Sequence, residues 1–188
     1  GNPEPKFTYG IGNTFTFGNL DMTVFVNGSY GNEVVNYQRR WLENPRENTN
    51  LLEKATHYAV LTKINEAGPV DYRNIYISGG DADMCRMAAS SASSTSNFRY
   101  SDKFVEDGSY LRIQNISLGY NLPRKWLKKI AFENLKIYAN LQNLYTFTAY
   151  KGYDPEIGSN NQDALLTGID NARYPSPRIY TFGLNLTF

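Results

Sequence analysis

The chain has 188 residues, a mean hydropathy of −0.51, 14% aromatic residues and a formal net charge of +1. That charge supplies no long-range field, and no basic stripe interleaved with aromatics is present, which excludes nucleic acid as a partner. The single Cys85 cannot form an internal disulfide or a multi-cysteine metal site, and no apolar run approaches the roughly 20 residues of a membrane helix, so any membrane crossing falls to strands; no signal peptide is seen.

The first element is "KFTYGIGNTFTFG", which places Phe7, Tyr9, Ile11, Phe15 and Phe17 on one face and Thr8, Gly10, Gly12, Thr14 and Thr16 on the other. Its glycines lie inside a strand with no helix following, so they ease strand curvature rather than form a nucleotide fingerprint. Gly18-Asn19 makes a turn, and "LDMTVFVNGSY" alternates again with Leu20, Met22, Val24, Val26 and Tyr30 against Asp21, Thr23, Asn27 and Ser29. Two alternating runs about a short turn predict a hairpin.

A long connection follows, over roughly residues 31–108. Its "NEVVNYQRRWLENP" predicts a short helix with Val34, Tyr37, Trp41 and Leu42 on one side and Pro45 ending it. A second helix is expected over "NTNLLEKATHYAVLTKINEAG", with Asn50 as N-cap, Glu53 three residues on, and a stop at Gly68-Pro69. His57, the one histidine, is then a surface or packing residue rather than a metal ligand. Asp81 and Asp83 in "GGDADMC" lack the glycine and distal glutamate of a calcium loop, so turn chemistry explains them, with weak cation binding left open. "AASSASSTS" (88–96) is small and polar and reads as an exposed crossing.

"SYLRIQNISLGYNL" alternates with a phase shift between Ile113 and Ile116, the signature of a bulge or of entry into a loop before Gln114. A compact connection, "PRKWLKKIAFEN" (123–134), leads to "NLKIYANLQNLYTF", where Leu135, Ile137, Ala139, Leu141, Tyr145 and Phe147 oppose Lys136, Tyr138, Asn140, Gln142 and Thr146. A second long connection (148–177) holds "YKGYDPE", whose Asp154 and Glu156 have no evident acid–base partner and whose Asp154-Pro155 makes a turn. The chain closes on "RIYTFGLNLTF", with Tyr180, Phe182, Leu184, Leu186 and the terminal Phe188 at every second position. Five strands are expected in all, with short and long connections alternating. That is the layout of an outer-membrane barrel of strands about 9–11 residues long, although a soluble β-sandwich alternates too.

Several blocks also resemble the SusC/RagA-type TonB-dependent transporters: "SDKFVEDGSYLRIQNISLGYNLPRKWLKK", "NLKIYANLQNLYTFTAYKGYDPE" and "YPSPRIYTFGLNLTF", with "GNPEPKFTYG" and "VNGSYGNEVVN" upstream. The stretch from about Arg46 to Arg99 is less similar. The resemblance implies an all-β fold, the last five antiparallel strands of a 22-stranded transmembrane barrel, roughly the size class of plugged transporters. Residues 1–188 are then the C-terminal part of that barrel, with the plug domain and N-terminal strands upstream, and 31–108 is a partly helical extracellular loop insertion.

The implied partners are a SusD-like lipoprotein acting as a lid, TonB reached through the region upstream, the barrel assembly machinery, outer-membrane lipid, and an oligosaccharide or peptide substrate. Tyr37, Trp41, Tyr72, Tyr76, Tyr150, Tyr153 and Asp154 are the candidate ligand or lid contacts, since flat aromatics stack on sugar rings and anchor interfaces. Lys136, Asn140 and Gln142 face the lumen, and Tyr180, Phe182, Leu184, Leu186 and Phe188 form the assembly signal. The function expected is active import of oligomeric nutrients with no cofactor and no covalent chemistry. The alternative is a soluble extracellular β-rich glycan-binding module; an enzyme is disfavoured by the want of any triad-like or metal-like constellation.

Overall fold

The computed structural model describes residues 1–44, 49–85, 99–127, 132–158 and 164–188. Pro45 and the "AASSASSTS" run lie outside the described residues. The chain divides into two compact units, one comprising Gly1–Val34 with Glu106–Phe188, the other Val35–Val105.

The first unit is built on β1 (Phe7–Phe17), β2 (Leu20–Tyr30), β7 (Tyr110–Asn121), β8 (Asn134–Thr148) and β10 (Ile179–Thr187), which form one antiparallel sheet in that order. All five alternating runs are therefore strands. Gly18, at φ +59, makes the tight β1–β2 turn, a conformation that a side chain resists. Short elements complete the unit: α2 (Arg124–Leu127) in the β7–β8 connection and β9 (Ile169–Asp170) in the β8–β10 connection.

Register turns the alternation of each strand into two continuous faces. One face carries Ile11, Val26, Ile113 and Tyr145 in a row, then Phe15, Met22, Leu118, Ala139 and Phe182, then Phe17, Leu20, Tyr120, Ile137 and Leu184. Phe17, Phe182 and Leu184 are each more than 60% exposed there. Burying a side chain of this kind is favourable by about 1.5–3 kcal/mol, so a face this broad in contact with water alone would be strongly disfavoured. The other face carries Asp21, Thr23, Asn27, Ser117, Asn140, Lys136, Thr181 and Asn185.

The expected phase shift is a bulge. Ile113 pairs with Val26 and Tyr145 while Asn115 pairs with Phe25 and Gln142, so Gln114 is stepped over on both sides. Opposite it, Asn143 takes φ +51, a left-handed conformation that Asn tolerates. The bulge keeps Arg112 on the polar face. The Phe25 ring lies over Gly10 and Gly12, where a Cβ on either would stand 3.4–3.5 Å from it, in ordinary van der Waals contact. Gly183 sits under the Tyr138 ring, with no room for a Cβ.

The C-terminus is tied down rather than frayed. Glu133 N–H donates to the Thr187 carbonyl at 2.9 Å, and the Phe188 ring packs on Phe132 with centroids 5.6 Å apart.

The second unit differs from expectation. The helix α1 (Tyr37–Leu42) is shorter than predicted, because Glu33–Asn36 is extended as β3 and Asn36 is the cap, its Oδ1 accepting from Arg39 N–H at 3.1 Å. Val34 thus belongs to a strand and not to the helix face. The second predicted helix does not form. A 3-10 turn covers only Glu53–His57, with Leu52 rather than Asn50 at the N-cap position and no side-chain cap, and β4 (Val60–Lys63) then pairs with β5 (Ile75–Gly79) as a hairpin. Val60, Thr62, Ile75, Tyr76 and Ile77 are strand formers, so the helical spacing upstream does not propagate. The connection is stitched by Asn74, whose Nδ2 donates to Asn65 and Pro69 carbonyls at 2.9 Å each and whose Oδ1 accepts from Asn65 N–H at 2.8 Å. Among the described residues of this unit Phe104, Met84, Ala55 and Ala59 are the buried apolar ones, and Glu43 is a buried carboxylate held by Arg39 and by Lys103, the latter at 3.1 Å. The short strand β6 (Val105–Asp107) leads out of this unit.

Candidate functional site

The strongest polar cluster of the first unit forms on the polar face of β7 and β8, at the end where the long connections emerge. Arg112 lies opposite Asn27 and Thr146 and is 4% exposed. Its guanidinium is a fork matched to three acceptors: Nε donates to Thr146 Oγ1 at 3.0 Å, Nη1 to Glu156 Oε2 at 2.6 Å and Nη2 to Asp154 Oδ1 at 2.5 Å. Asp154 is satisfied from the other side as well. Its Oδ1 accepts from Glu156 N–H at 3.0 Å and its Oδ2 from Ser176 N–H at 3.1 Å. Burial pushes the Asp154 carboxyl up, but the Glu156 and Ser176 amides and the Arg112 charge outweigh it and hold the group below its ordinary value.

A second anchor sits deeper in the same connection. Tyr150 is buried and its hydroxyl donates to Asp170 Oδ2 at 2.6 Å, while Asp170 Oδ1 accepts from Arg173 N–H at 3.0 Å. Burial, with the Asp170 hydrogen bond and charge, raises the Tyr150 phenol far above its usual range, so it stays a donor at any physiological pH. Arg173 Nη1 returns to the Glu156 carbonyl at 2.9 Å, and Asn143 Nδ2 donates to the Pro177 carbonyl at 3.0 Å.

These bonds fold residues 149–158 and 164–178 over the polar face and leave a cavity of about 530 Å³. Arg112, Thr146 and Thr148 form its wall side; Tyr153, Tyr174, Ser176 and Arg178 form its loop side. Tyr153 and Tyr174 are exposed, and among the described residues Arg178 has no ion-pair partner. Hydroxyls, one cation and two flat rings around an open hollow suit a polar oligomer held by hydrogen bonds and stacking. No group of three or more His, Cys, Asp or Glu able to hold a metal occurs among the described residues.

The predicted site residues thus fall into distinct settings. Tyr153 and Asp154 meet at this cavity, where Asp154 positions the loop and Tyr153 presents its ring, while Tyr150 is inside the loop with its hydroxyl engaged. Lys136, Asn140 and Gln142 share the polar face; Lys136 Nζ is 3.3 Å from Asp21 Oδ2. Tyr180, Phe182, Leu184 and Leu186 share the apolar face.

In the second unit Tyr37 and Trp41 stand together on α1, their rings edge to face at 6.0 Å, with Tyr100 stacked on Tyr37 at 5.8 Å and the Arg40 guanidinium 5.0 Å from the Tyr100 centroid. The hydrogen bond to Tyr37, then its charge, raises the Tyr100 phenol. Tyr76 is on β5, and Tyr72 lies in the hairpin connection with Arg73 over its ring. Asp81 and Asp83 do make a turn, Asp83 N–H donating to Asp81 Oδ1 at 2.9 Å, and Lys54 lies 3.2 Å from Asp81 and 3.8 Å from Asp83. The Asp83 amide, then Lys54, holds the Asp81 carboxyl below its ordinary value. Arg112, Tyr100 and Tyr174 were not singled out from sequence. The signal available for Arg112 was an arginine on the polar phase of a strand, with two carboxylates 42 and 44 residues on that lacked a partner.

No protein-family model matches the chain. The TonB-dependent receptor P3 of Formosa agariphila is 35% identical over 194 residues, covering 100% of this chain and 17% of the relative. SusC, a TonB-dependent receptor of Bacteroides thetaiotaomicron, is 37% identical over 90 residues, covering 47% of this chain and 8% of the relative. Among solved structures, the RagAB peptide importer superposes in its open-open state with TM-score 0.70 and in its closed-closed state with 0.68, at 21% identity over 98% of this chain and 17% of that chain. This chain therefore spans about a sixth of the length of the proteins that it matches. The sheet is a stretch of their β-barrel wall, and the chain belongs to the SusC/RagA-type TonB-dependent receptors.

Proposed function

We propose that this chain forms part of an outer-membrane importer that takes up oligomeric nutrients, glycan or peptide, under a SusD-like lipoprotein lid and with energy delivered through TonB. The observation that carries this reading is the sheet itself: five antiparallel strands paired in sequence with one bulge, at Gln114, apolar on one face and polar on the other, with short connections at one end and long ones at the other. Strands crossing a bilayer need all backbone groups paired and an apolar outer face. The apolar face meets lipid, and the polar face lines the lumen with Lys136, Asn140 and Gln142.

In this reading the complete barrel has 22 strands, about the number of plugged outer-membrane transporters, and residues 31–108 are an extracellular insertion. The Arg112–Asp154–Glu156 cluster fastens residues 149–158 and 164–178 over the lumen mouth as a ledge, with Tyr153 and Tyr174 facing the incoming oligomer. Tyr37, Trp41 and Tyr100, with Tyr72 and Tyr76, offer further ligand or lid contacts. The alternating β10 and Phe188 are read by the barrel assembly machinery. The chain has no catalytic role.

The test is uptake by cells carrying the full-length transporter. Labelled oligosaccharides and oligopeptides are expected to enter only when TonB and the proton-motive force are intact, with the protein recovered from outer membranes. Uptake that persists without TonB, or recovery of the protein as a soluble secreted glycan binder, would overturn the reading.

A further inference from the structure

The apolar face is unevenly filled, and the register says why. Met22, Leu118, Ala139 and Phe182 share one row; Leu20, Tyr120, Ile137 and Leu184 share the next, toward the end bearing the short connections. Along β8 the positions on this face are Leu135, Ile137, Ala139 and Leu141, so a methyl group stands where its neighbours carry four-carbon side chains. Leu118 and Phe182 flank Ala139 on either side, and neither neighbouring strand fills the gap. The result is a hollow of about 380 Å³ lined by Leu118, Tyr120, Ile137, Ala139, Phe182 and Leu184, with almost no polar surface.

An apolar hollow of this size offers a water molecule no partners, and in a bilayer it offers a hydrocarbon chain more contact than the smooth wall around it. Charge lies at the same end. β7 leaves the row at Tyr120, and four residues on, within about 14 Å even for a fully extended chain, α2 begins with the exposed Arg124 and Lys125. Among the described residues neither is in an ion pair. The adjacent Trp126 is 63% exposed, the placement that indole takes at a membrane interface.

We propose that this hollow is a specific lipid site: one acyl chain of an anionic phospholipid lies over Ala139, and its phosphate is held by Arg124 and Lys125. The site belongs to the outside of the wall and takes no part in moving substrate. It rests on the membrane placement argued above, and on the short connections facing the phospholipid leaflet.

The experiment uses the full-length transporter in mild detergent, with phosphatidylglycerol and phosphatidylethanolamine as probes and native mass spectrometry as readout. The wild-type protein is expected to retain phosphatidylglycerol through delipidation at several-fold higher occupancy than phosphatidylethanolamine. Ala139→Leu, which fills the hollow from the lipid side, is expected to lower retention of both at least fivefold; Arg124→Gln with Lys125→Gln is expected to erase the preference while a lipid is still held. Equal wild-type occupancy of the two lipids overturns the proposal without recourse to any variant. Undiminished retention in an Ala139→Leu protein that still shows the heat-modifiable migration of a folded barrel overturns it as well. Failure of the membrane placement itself reads differently, as a wild-type protein absent from outer membranes and without heat-modifiable migration.

Discussion

The wall and the Val35–Val105 unit are held together by opposite means. In the wall, long strands of 9–15 residues pair along nearly their whole length, and almost every stabilising contact repeats with the period of the strand. In the other unit the strands span 3–5 residues and the helix six, and the order comes from single side chains reaching backbone: Asn36 capping α1, Asn74 closing the hairpin connection, Lys103 donating to the Asp83 carbonyl at 2.6 Å. A repeating structure tolerates the loss of one contact. A stitched one does not, and the connection over residues 149–158 and 164–178 belongs with the second kind although it is fastened to the wall.

The sharpest break is expected at Arg112. Arg112→Met leaves the Asp154 carboxylate buried without its cation, a loss of about 3–5 kcal/mol for a pair of this burial. The sheet should still form, so hydrogen exchange is expected to rise over 149–158 and 164–178 while β7 and β8 stay protected; exchange unchanged in the connection would refute the fastening. Next comes a pair of neighbours on one strand. Leu118→Arg puts a cation on the lipid face one row inside Tyr120 and is expected to cost between the roughly 0–1 kcal/mol of an interface and the roughly 2–4 kcal/mol of the midplane, read as lost heat-modifiability, whereas Ser117→Arg, one residue away on the polar face, is expected to assemble normally.

In the second unit, Asn74→Ala removes two donations and one acceptance at once. A loss of about 1–3 kcal/mol is expected from the groups left unsatisfied, seen as faster proteolysis between Lys63 and Arg73. The exposed Lys54 pairs mark the lower bound: Lys54→Met should change stability by less than about 1 kcal/mol.

The pH dependence separates the regions again. A carboxyl whose folded pKa is depressed contributes stability that is fully present above its unfolded pKa, about 3.9 for Asp, and is lost as pH falls through the folded value. Asp154 is such a group. The fastened connection is therefore expected to hold from neutral pH down to about 4 and to loosen only below that. An environment-sensitive fluorophore at Tyr153→Cys, in a Cys85→Ser background, reports it; loosening between pH 7 and 5 would show that Asp154 does not carry the fastening.

How much could be read beforehand follows from the range of the forces. Phe15, Met22, Leu118 and Phe182 were assignable to one face because strand geometry sends every second side chain the same way, whatever the partner strand. The bulge at Gln114 was visible as a break in that phase. The β4–β5 hairpin was missed because Leu51, Ala55, Tyr58 and Ala59 fit a helical spacing over one short window, and the competing signal lay in an asparagine, Asn74, that only a fold can bring to Asn65. Arg112 was missed for the same reason, since nothing local ties it to residues beyond 150.

The sequence by itself determined the two faces of the wall, the family and the alternation of short and long connections, because all three are written in periods and local motifs. Only the tertiary structure decided that Arg112 meets Asp154 and Glu156, that Phe25 and Tyr138 cover glycines, and that Ala139 leaves a hollow between Leu118 and Phe182. Each depends on the register between strands far apart in the chain, and register is a property of pairs of strands that no single run of residues contains.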